Sequence, residues 1–154
     1  MIIYIGADHR GFSMKNALRE YVKDMGYEVE DVGNTSYDET DDYPDFAEEV
    51  GKRVSMDPEG SRGILICGSG AGVDITVNKF SGIRSALAIS KEQIEHARKN
   101  DDVNVLSIAA DSMKDLAATE IARVFLKTKF SEDERCVRRI NKIKAVESLV
   151  RESI

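Results

Sequence analysis

This 154-residue chain has two cysteines, two histidines, two prolines and no tryptophan, too few for a metal scaffold, a disulfide framework or a fibrous fold. Cys67 and Cys136 stand far apart in no CxxC spacing. Only His9 and His96 could add further soft ligands, so no zinc site is expected. Bases are outnumbered, 22 against 28 acids, and the net charge of −6 excludes a broad basic surface for nucleic acid or anionic lipid. No apolar run approaches the roughly 20 residues that span a bilayer, and the opening MIIYIGADHR lacks a signal peptide's apolar stretch. The expected setting is the reducing cytoplasm. At 42% hydrophobic and 32% charged residues, the composition is that of a soluble globular protein. One domain over 1–154 is expected, long enough to bury roughly 70% of its unfolded surface.

Short β-branched or aromatic runs alternate with longer amphipathic ones. Met1–Gly6 reads as a buried strand, and residues 11–25 set Met14, Leu18, Tyr21, Val22 and Met25 on one helical stripe. YEVEDV at 27–32 alternates as a half-exposed strand, and Phe46, Ala47, Val50 and Val54 give residues 45–54 helical spacing. GILIC at 63–67 is a continuous apolar strand ending in a glycine-rich turn, with a helix expected over 73–79. Residues 83–89 repeat the buried-strand signature; Ser90 then suits an N-cap, its helix reaching about residue 99, and 103–108 makes a fifth strand. Two helices close the chain. The first, about 113–127, is expected to face Leu116, Ala117, Ile121, Val124 and Phe125 inward; the second, about 134–150, carries Ile140, Ile143, Val146 and Leu149.

Five strands separated by helices predict an α/β three-layer sandwich, a Rossmann-like parallel sheet with right-handed crossovers and helices on both faces. Ligands of such sheets collect outside the carboxyl ends of the strands, where strand order reverses. Asp8 and His9, Asp42 and Tyr43, and residues 67–72 all follow strands, whereas Asn100–Asp102 precede the fifth.

Gly68-Ser69-Gly70-Ala71-Gly72 leads from a buried strand into a helix, so its backbone N–H groups can converge on an oxyanion or phosphate. A tight strand-to-helix turn is the plainer reading of the same glycines. Neither GxxxxGK[ST] nor GxGxxG is present, which removes both nucleotide-binding readings. Cys67, last in its strand, is either a small apolar filler or, beside a helix start and N–H donors, a thiolate able to take a proton. No Cys-His pairing for acyl transfer is visible in the sequence, and proton abstraction suits the setting better. Asp8 and His9 beside this loop suit proton shuttling between adjacent oxygens, or a helix cap and a surface turn. Arg135 and Arg139 share a helix face away from Cys136, Ile140 and Ile143, where they are either solvated or a paired guanidinium clamp for a sugar phosphate.

Taken in order, GADHRGF at 6–12, DYPDFA at 42–47, GILICGSGAG at 63–72, NKFSGIRSAL at 78–87, NVL at 104–106 and RCVRRINKI at 135–143 resemble one family. It is the family of ribose-5-phosphate isomerase B and the galactose-6-phosphate isomerase subunits. The resemblance implies a homodimer or homotetramer with active sites shared across an interface, interconverting an aldose phosphate and its ketose through an enediolate. Neither a metal nor an organic cofactor is implied. On this likeness Cys67 is the base acting between C1 and C2, and Gly68, Ser69, Gly70, Ala71 and Gly72 form the anion hole. Asp8 handles hydroxyl protons, His9 and Tyr43 contact substrate, and Arg135 with Arg139 clamp the phosphate.

Where the family reads REHNDANVL this chain reads RKNDDVNVL, which puts Asn100 at the catalytic position of a ring-opening His and Asp101 at a substrate-contacting Asn. Asn can hydrogen-bond a ring oxygen but donates no proton near neutrality, so ring opening is expected to be slow or to shift to His9. Asp111 in AAD matches a family Arg, and Cys136 matches a His. Three readings follow: an isomerase of ribose 5-phosphate, an isomerase of a different sugar or hexose phosphate such as galactose or allose 6-phosphate, and a non-catalytic sugar-phosphate-binding subunit. Cys67 beside an anion nest argues against the last.

Overall fold

The apolar runs become strands and the amphipathic runs become helices, in strict alternation until the last two elements. The computed structural model describes residues 1–152, with side chains through residue 149. Its elements are β1 (Ile2–Ala7), α1 (Phe12–Asp24), β2 (Glu28–Asp31), α2 (Tyr43–Met56), β3 (Ser61–Cys67), α3 (Ala71–Val77), β4 (Ser85–Leu87), α4 (Lys91–Asp101), β5 (Val105–Ala109), α5 (Asp115–Lys127) and α6 (Glu134–Glu152). The sheet is five-stranded in the order β2-β1-β3-β5-β4, and every pairing is parallel.

Because successive strand residues point to opposite faces, the central strands feed two cores. Ile3, Ile5, Ile64, Ile66, Leu106 and Ile108 pack on one face against Leu18 and Val22 of α1, Ile94 of α4, and Ile121 and Phe125 of α5. Leu65, Cys67 and Val105 pack on the other against Ala47, Val50 and Val54 of α2 and Val73 and Val77 of α3. The expected three layers are present.

Several boundaries and faces differ from expectation. α2 begins at Tyr43, ahead of the predicted Asp45, because Pro44 fits the first helical turn. β4 covers only Ser85–Leu87, and Ile89 beyond it is 78% exposed. Ser90 does cap α4, its hydroxyl accepting from the Gln93 N–H at 3.1 Å. In α5 the buried stripe is Ala118, Ile121, Ala122, Phe125 and Leu126, while Leu116 and Ala117 face out. Ala118 and Ala122 sit in the core on the face where Leu116 and Ala117 were expected, a small rotation of the stripe that leaves Ile121 and Phe125 inward as expected. In α6 Cys136 and Ile140 are buried, yet Ile143, Val146 and Leu149 are exposed. Among the described residues, burial on α6 is thus confined to its first two turns, at Cys136 and Ile140, and the rest of the expected inward stripe is exposed.

Lys15 was not part of the α1 stripe read from the sequence, yet it is fully buried. Its ammonium donates to Asp31 at 2.8 and 2.9 Å and to the Asn34 carbonyl at 2.7 Å. Pairing of a buried charge with this many acceptors offsets its desolvation and ties the segment after β2 to the edge of the sheet.

Candidate active site

Strand order reverses between β1 and β3, so the loops that leave their carboxyl ends diverge and open a crevice between them. A cavity of about 400 Å3 lies there, lined by Asp8, Arg10, Tyr43, Cys67, Gly68, Ser69, Gly72, Ile75 and Asp111. A larger hollow, about 570 Å3 between Ile89 and Leu116, is walled mainly by aliphatic, serine and lysine side chains and holds no comparable set of reactive groups.

Cys67 ends β3 with its thiol free and only 3% of the residue exposed. Gly70 takes a left-handed conformation at φ 71°, and a Cβ there would lie 2.9 Å from the Ile108 carbonyl carbon and 3.0 Å from the Ala109 nitrogen. Only glycine fits, so the chain turns sharply from β3 into α3 against the end of β5. Ser69 steadies this turn by accepting from the Ala71 N–H at 3.3 Å. Tyr43, at the start of α2, lays its ring on Gly72, where an added Cβ would stand 2.6 Å from the ring carbons. The absence of a side chain at 72 thus sets the position of the tyrosine.

Asp8 is buried at 5% exposure, and its Oδ1 accepts from the Arg10 N–H at 3.0 Å and the Gly11 N–H at 3.1 Å. It both shapes the turn into α1 and lines the cavity. Burial raises its carboxyl pKa, an effect partly opposed by the Gly11 N–H and by His9. His9 turns toward the segment after β2, where Asp41 Oδ1 lies 2.8 Å from both its backbone N–H and its Nδ1. That hydrogen bond raises the imidazole pKa above 6.5. Asn34 in turn holds Asp41 at 2.9 Å, so the buried Lys15, Asn34, Asp41 and His9 form one chain of contacts. Replacing Asp41 with Asn is expected to lower the His9 midpoint toward 6.5, read from the imidazole protons by NMR. Since the folded pKa lies above the unfolded one, the pair's hold on the 34–41 segment is full below about pH 6.5 and fades as pH rises through the folded midpoint.

The remaining residues singled out by sequence lie elsewhere. α4 leaves the carboxyl edge after β4 and returns to the amino edge before β5, carrying Asn100 and Asp101 with it. Neighbouring Asp102 pairs with Arg84, just ahead of β4, at 2.7 Å. Asn104 pairs beside Gly63, whereas Cys67 pairs with Ala109, about 13 Å further along the strands. α6 stays at that far edge: Cys136 Sγ lies 3.8 Å from Asn100 Oδ1, and Glu147 accepts from the Gly82 N–H at 2.9 Å. Arg135 and Arg139 are exposed and have no hydrogen-bond or ion-pair partner among the described residues. Asn100, Asp101, Arg135 and Arg139 therefore form a group of their own, remote from the cavity of the same chain.

Residues 3–143 match the ribose/galactose isomerase family. The chain belongs to that family. A probable ribose-5-phosphate isomerase B of Mycoplasma genitalium is 39% identical over 92% of each chain. The ribose-5-phosphate isomerase B of Mycobacterium leprae is 38% identical over 92% of this chain and 86% of that one. Among solved structures, the M. genitalium enzyme with bound ribulose-5-phosphate superposes with a TM-score of 0.92 at 37% identity over 96% of both chains. A Clostridium thermocellum ribose-5-phosphate isomerase B gives a TM-score of 0.91 at 35% identity, over 97% of this chain and 99% of that one. The likeness spans nearly the whole fold.

Within this family member, the cavity also contains a residue that motif reading passed over. Arg10 stands at the carboxyl edge of β1 beside Asp8, and the rule that pointed to Asp8 points equally to it. Its guanidinium donates from Nε to both Asp111 oxygens at 3.1 Å and from Nη2 to Oδ2 at 2.7 Å. Asp41 was missed as well, having no motif around it; only the folded chain brings it to His9, 32 positions away.

Proposed function

We propose that this chain is an aldose-ketose isomerase converting ribose 5-phosphate to ribulose 5-phosphate through an enediolate, with Cys67 as the base. One observation carries the reading: a free thiol lines a cavity together with a glycine loop and a buried carboxyl group. Similarity to a structure with bound ribulose-5-phosphate supports the choice of sugar.

In the open-chain aldose, the Cys67 thiolate takes the proton from C2. The C–H electron pair forms the C1–C2 double bond, and the carbonyl pair moves onto O1. N–H groups of Gly68–Gly72 stabilise the resulting oxyanion, an arrangement that acts most strongly where water is excluded. The thiol returns the proton to C1, and Asp8 moves the hydroxyl proton from O2 to O1, leaving the ketose. Burial suits Asp8 to that exchange, because a raised pKa brings its protonated form closer to working pH. Tyr43 flanks the substrate over Gly72. Ring opening falls to His9, which directly follows Asp8 in the chain and whose proton is retained by Asp41, whereas Asn100 cannot titrate.

The active unit is at least a homodimer. Asn100, Asp101, Arg135 and Arg139 can serve this cavity only from a second copy, and exposed Val137, Ile143 and Val146 give α6 an apolar face for one. Two unpaired thiols suit a reducing cytoplasm, and no helix among the described residues is long and apolar enough to cross a membrane.

The test incubates the protein in heavy water with ribose 5-phosphate and, separately, galactose and allose 6-phosphates, following loss of the C1 and C2 proton signals by NMR. Exchange on ribose 5-phosphate is expected. Exchange confined to a hexose phosphate would move the assignment to the second reading, which Asp111 on the cavity wall favours as a hydroxyl acceptor for a longer sugar. Binding without exchange would indicate a non-catalytic subunit.

A further inference from the structure

We propose that Arg10, held by Asp111 over Gly68, is the cation this protomer supplies to its own cavity and contacts the phosphoryl end of the substrate. The inference rests on the sugar-phosphate reading above and adds a binding residue to it.

Among the described residues that line the cavity, Arg10 is the one basic group, facing Asp8 and Asp111. A phosphate dianion entering a hollow with two carboxyl groups needs a cation at its wall. The guanidinium is fixed for that task. Asp111 takes Nε–H and one Nη2–H in a two-pronged contact, which leaves both Nη1 hydrogens and the second Nη2 hydrogen without a protein acceptor. A second prong thus remains free, in the geometry that matches two phosphate oxygens.

The pair is built into the loop framework. Asp111 N–H donates to the Gly68 carbonyl at 3.0 Å, and Ala110 N–H donates to the Cys67 carbonyl at 2.9 Å. The turn after β5 is therefore laced to the backbone that carries Cys67. A Cβ on residue 68 would approach Arg10 Nε to 2.6 Å and both Arg10 Cδ and Asp111 Oδ2 to 2.8 Å. Glycine at 68 lets the guanidinium lie directly against the loop. The pairing raises the Arg10 pKa further, so the charge is constant over the working range.

The experiment compares the full-length protein with Arg10→Ala, Arg10→Lys and the double variant Arg10→Ala with Asp111→Asn. Affinity for inorganic phosphate is read by calorimetry, and kcat and KM are read on ribose 5-phosphate and on unphosphorylated ribose. Removing a charged, two-pronged contact is expected to weaken inorganic phosphate and raise the ribose 5-phosphate KM by about 10- to 100-fold. The kcat should change by less than about 3-fold, because the contact is made equally in ground and transition states. The loss on ribose 5-phosphate should exceed any loss on ribose by about 10-fold or more, and Arg10→Lys should fall between wild type and Arg10→Ala. The double variant removes the carboxylate that Arg10→Ala leaves unpaired, and it should remain at least about 10-fold weaker than wild type for phosphate. Recovery of wild-type affinity in the double variant would mean that Arg10 only neutralises Asp111, and would overturn the assignment. Equal losses on ribose and ribose 5-phosphate would overturn it too, as would unchanged phosphate affinity. Should the wild-type protein isomerise no sugar phosphate, the functional reading fails, while the calorimetric comparison still decides the role of Arg10.

Discussion

Cys67→Ala is expected to abolish proton exchange at C1 and C2, lowering turnover by about 10^3-fold or more while the protein stays folded. General-base contributions alone are worth about 10^2- to 10^4-fold, and here the same group must both remove the proton and return it. The fold tolerates the change. Cys67 is one small residue among Leu65, Val73 and Val77, and loss of its sulfur leaves a hollow whose cost is on the order of 1 kcal/mol. Cys67→Ser sharpens the test, since a hydroxyl nearly fills the space yet does not ionise near neutrality. Both variants should bind inorganic phosphate like wild type and show native circular dichroism. Heavy-water exchange at wild-type rate in either would remove Cys67 from the mechanism.

Two inactive variants are expected to restore activity when mixed. Let one chain carry Cys67→Ala and the other Arg135→Ala with Arg139→Ala, each inactive alone. If a site takes its cysteine from one copy and its arginines from the other, a mixed dimer has one site with both functions intact and one with neither. Random reassociation makes half the dimers mixed, so activity should recover to about a quarter of wild type at equal total protein. Were every site built within one chain, no pairing would restore both functions and mixing would recover nothing. The placement of Arg135 and Arg139 at the amino edge of the sheet, with Cys67 at the carboxyl edge, motivates the expectation.

The parts of the site that the sequence discloses are local. Cys67 followed by five small residues marks the end of a buried strand and a turn into a helix, and the fold retains that arrangement because backbone crowding at Gly70 admits nothing larger. Asp8 is legible for a similar reason, as a carboxylate directly after the first strand. Its double duty as turn former and cavity wall becomes visible only with its N–H partners identified. The Arg10–Asp111 contact was hidden because its partners are 101 positions apart and meet only when β1 and β5 align on either side of β3. Leu116 shows the converse error. Helical periodicity suggested an inward position, but Ala118 and Ala122 occupy the buried face and the leucine is 78% exposed.

The sequence by itself determined the alternation of strand and helix, the parallel sheet and the loop that carries the thiol, because each follows from side-chain periodicity and glycine's conformational freedom over a few consecutive residues. Only the tertiary structure decided which of the remaining polar residues share a cavity. That outcome depends on strand order: β1 and β3 diverge at one edge to gather Asp8, Arg10, Cys67 and Asp111, while the return of α4 and α6 carries Asn100 and the two arginines to the other.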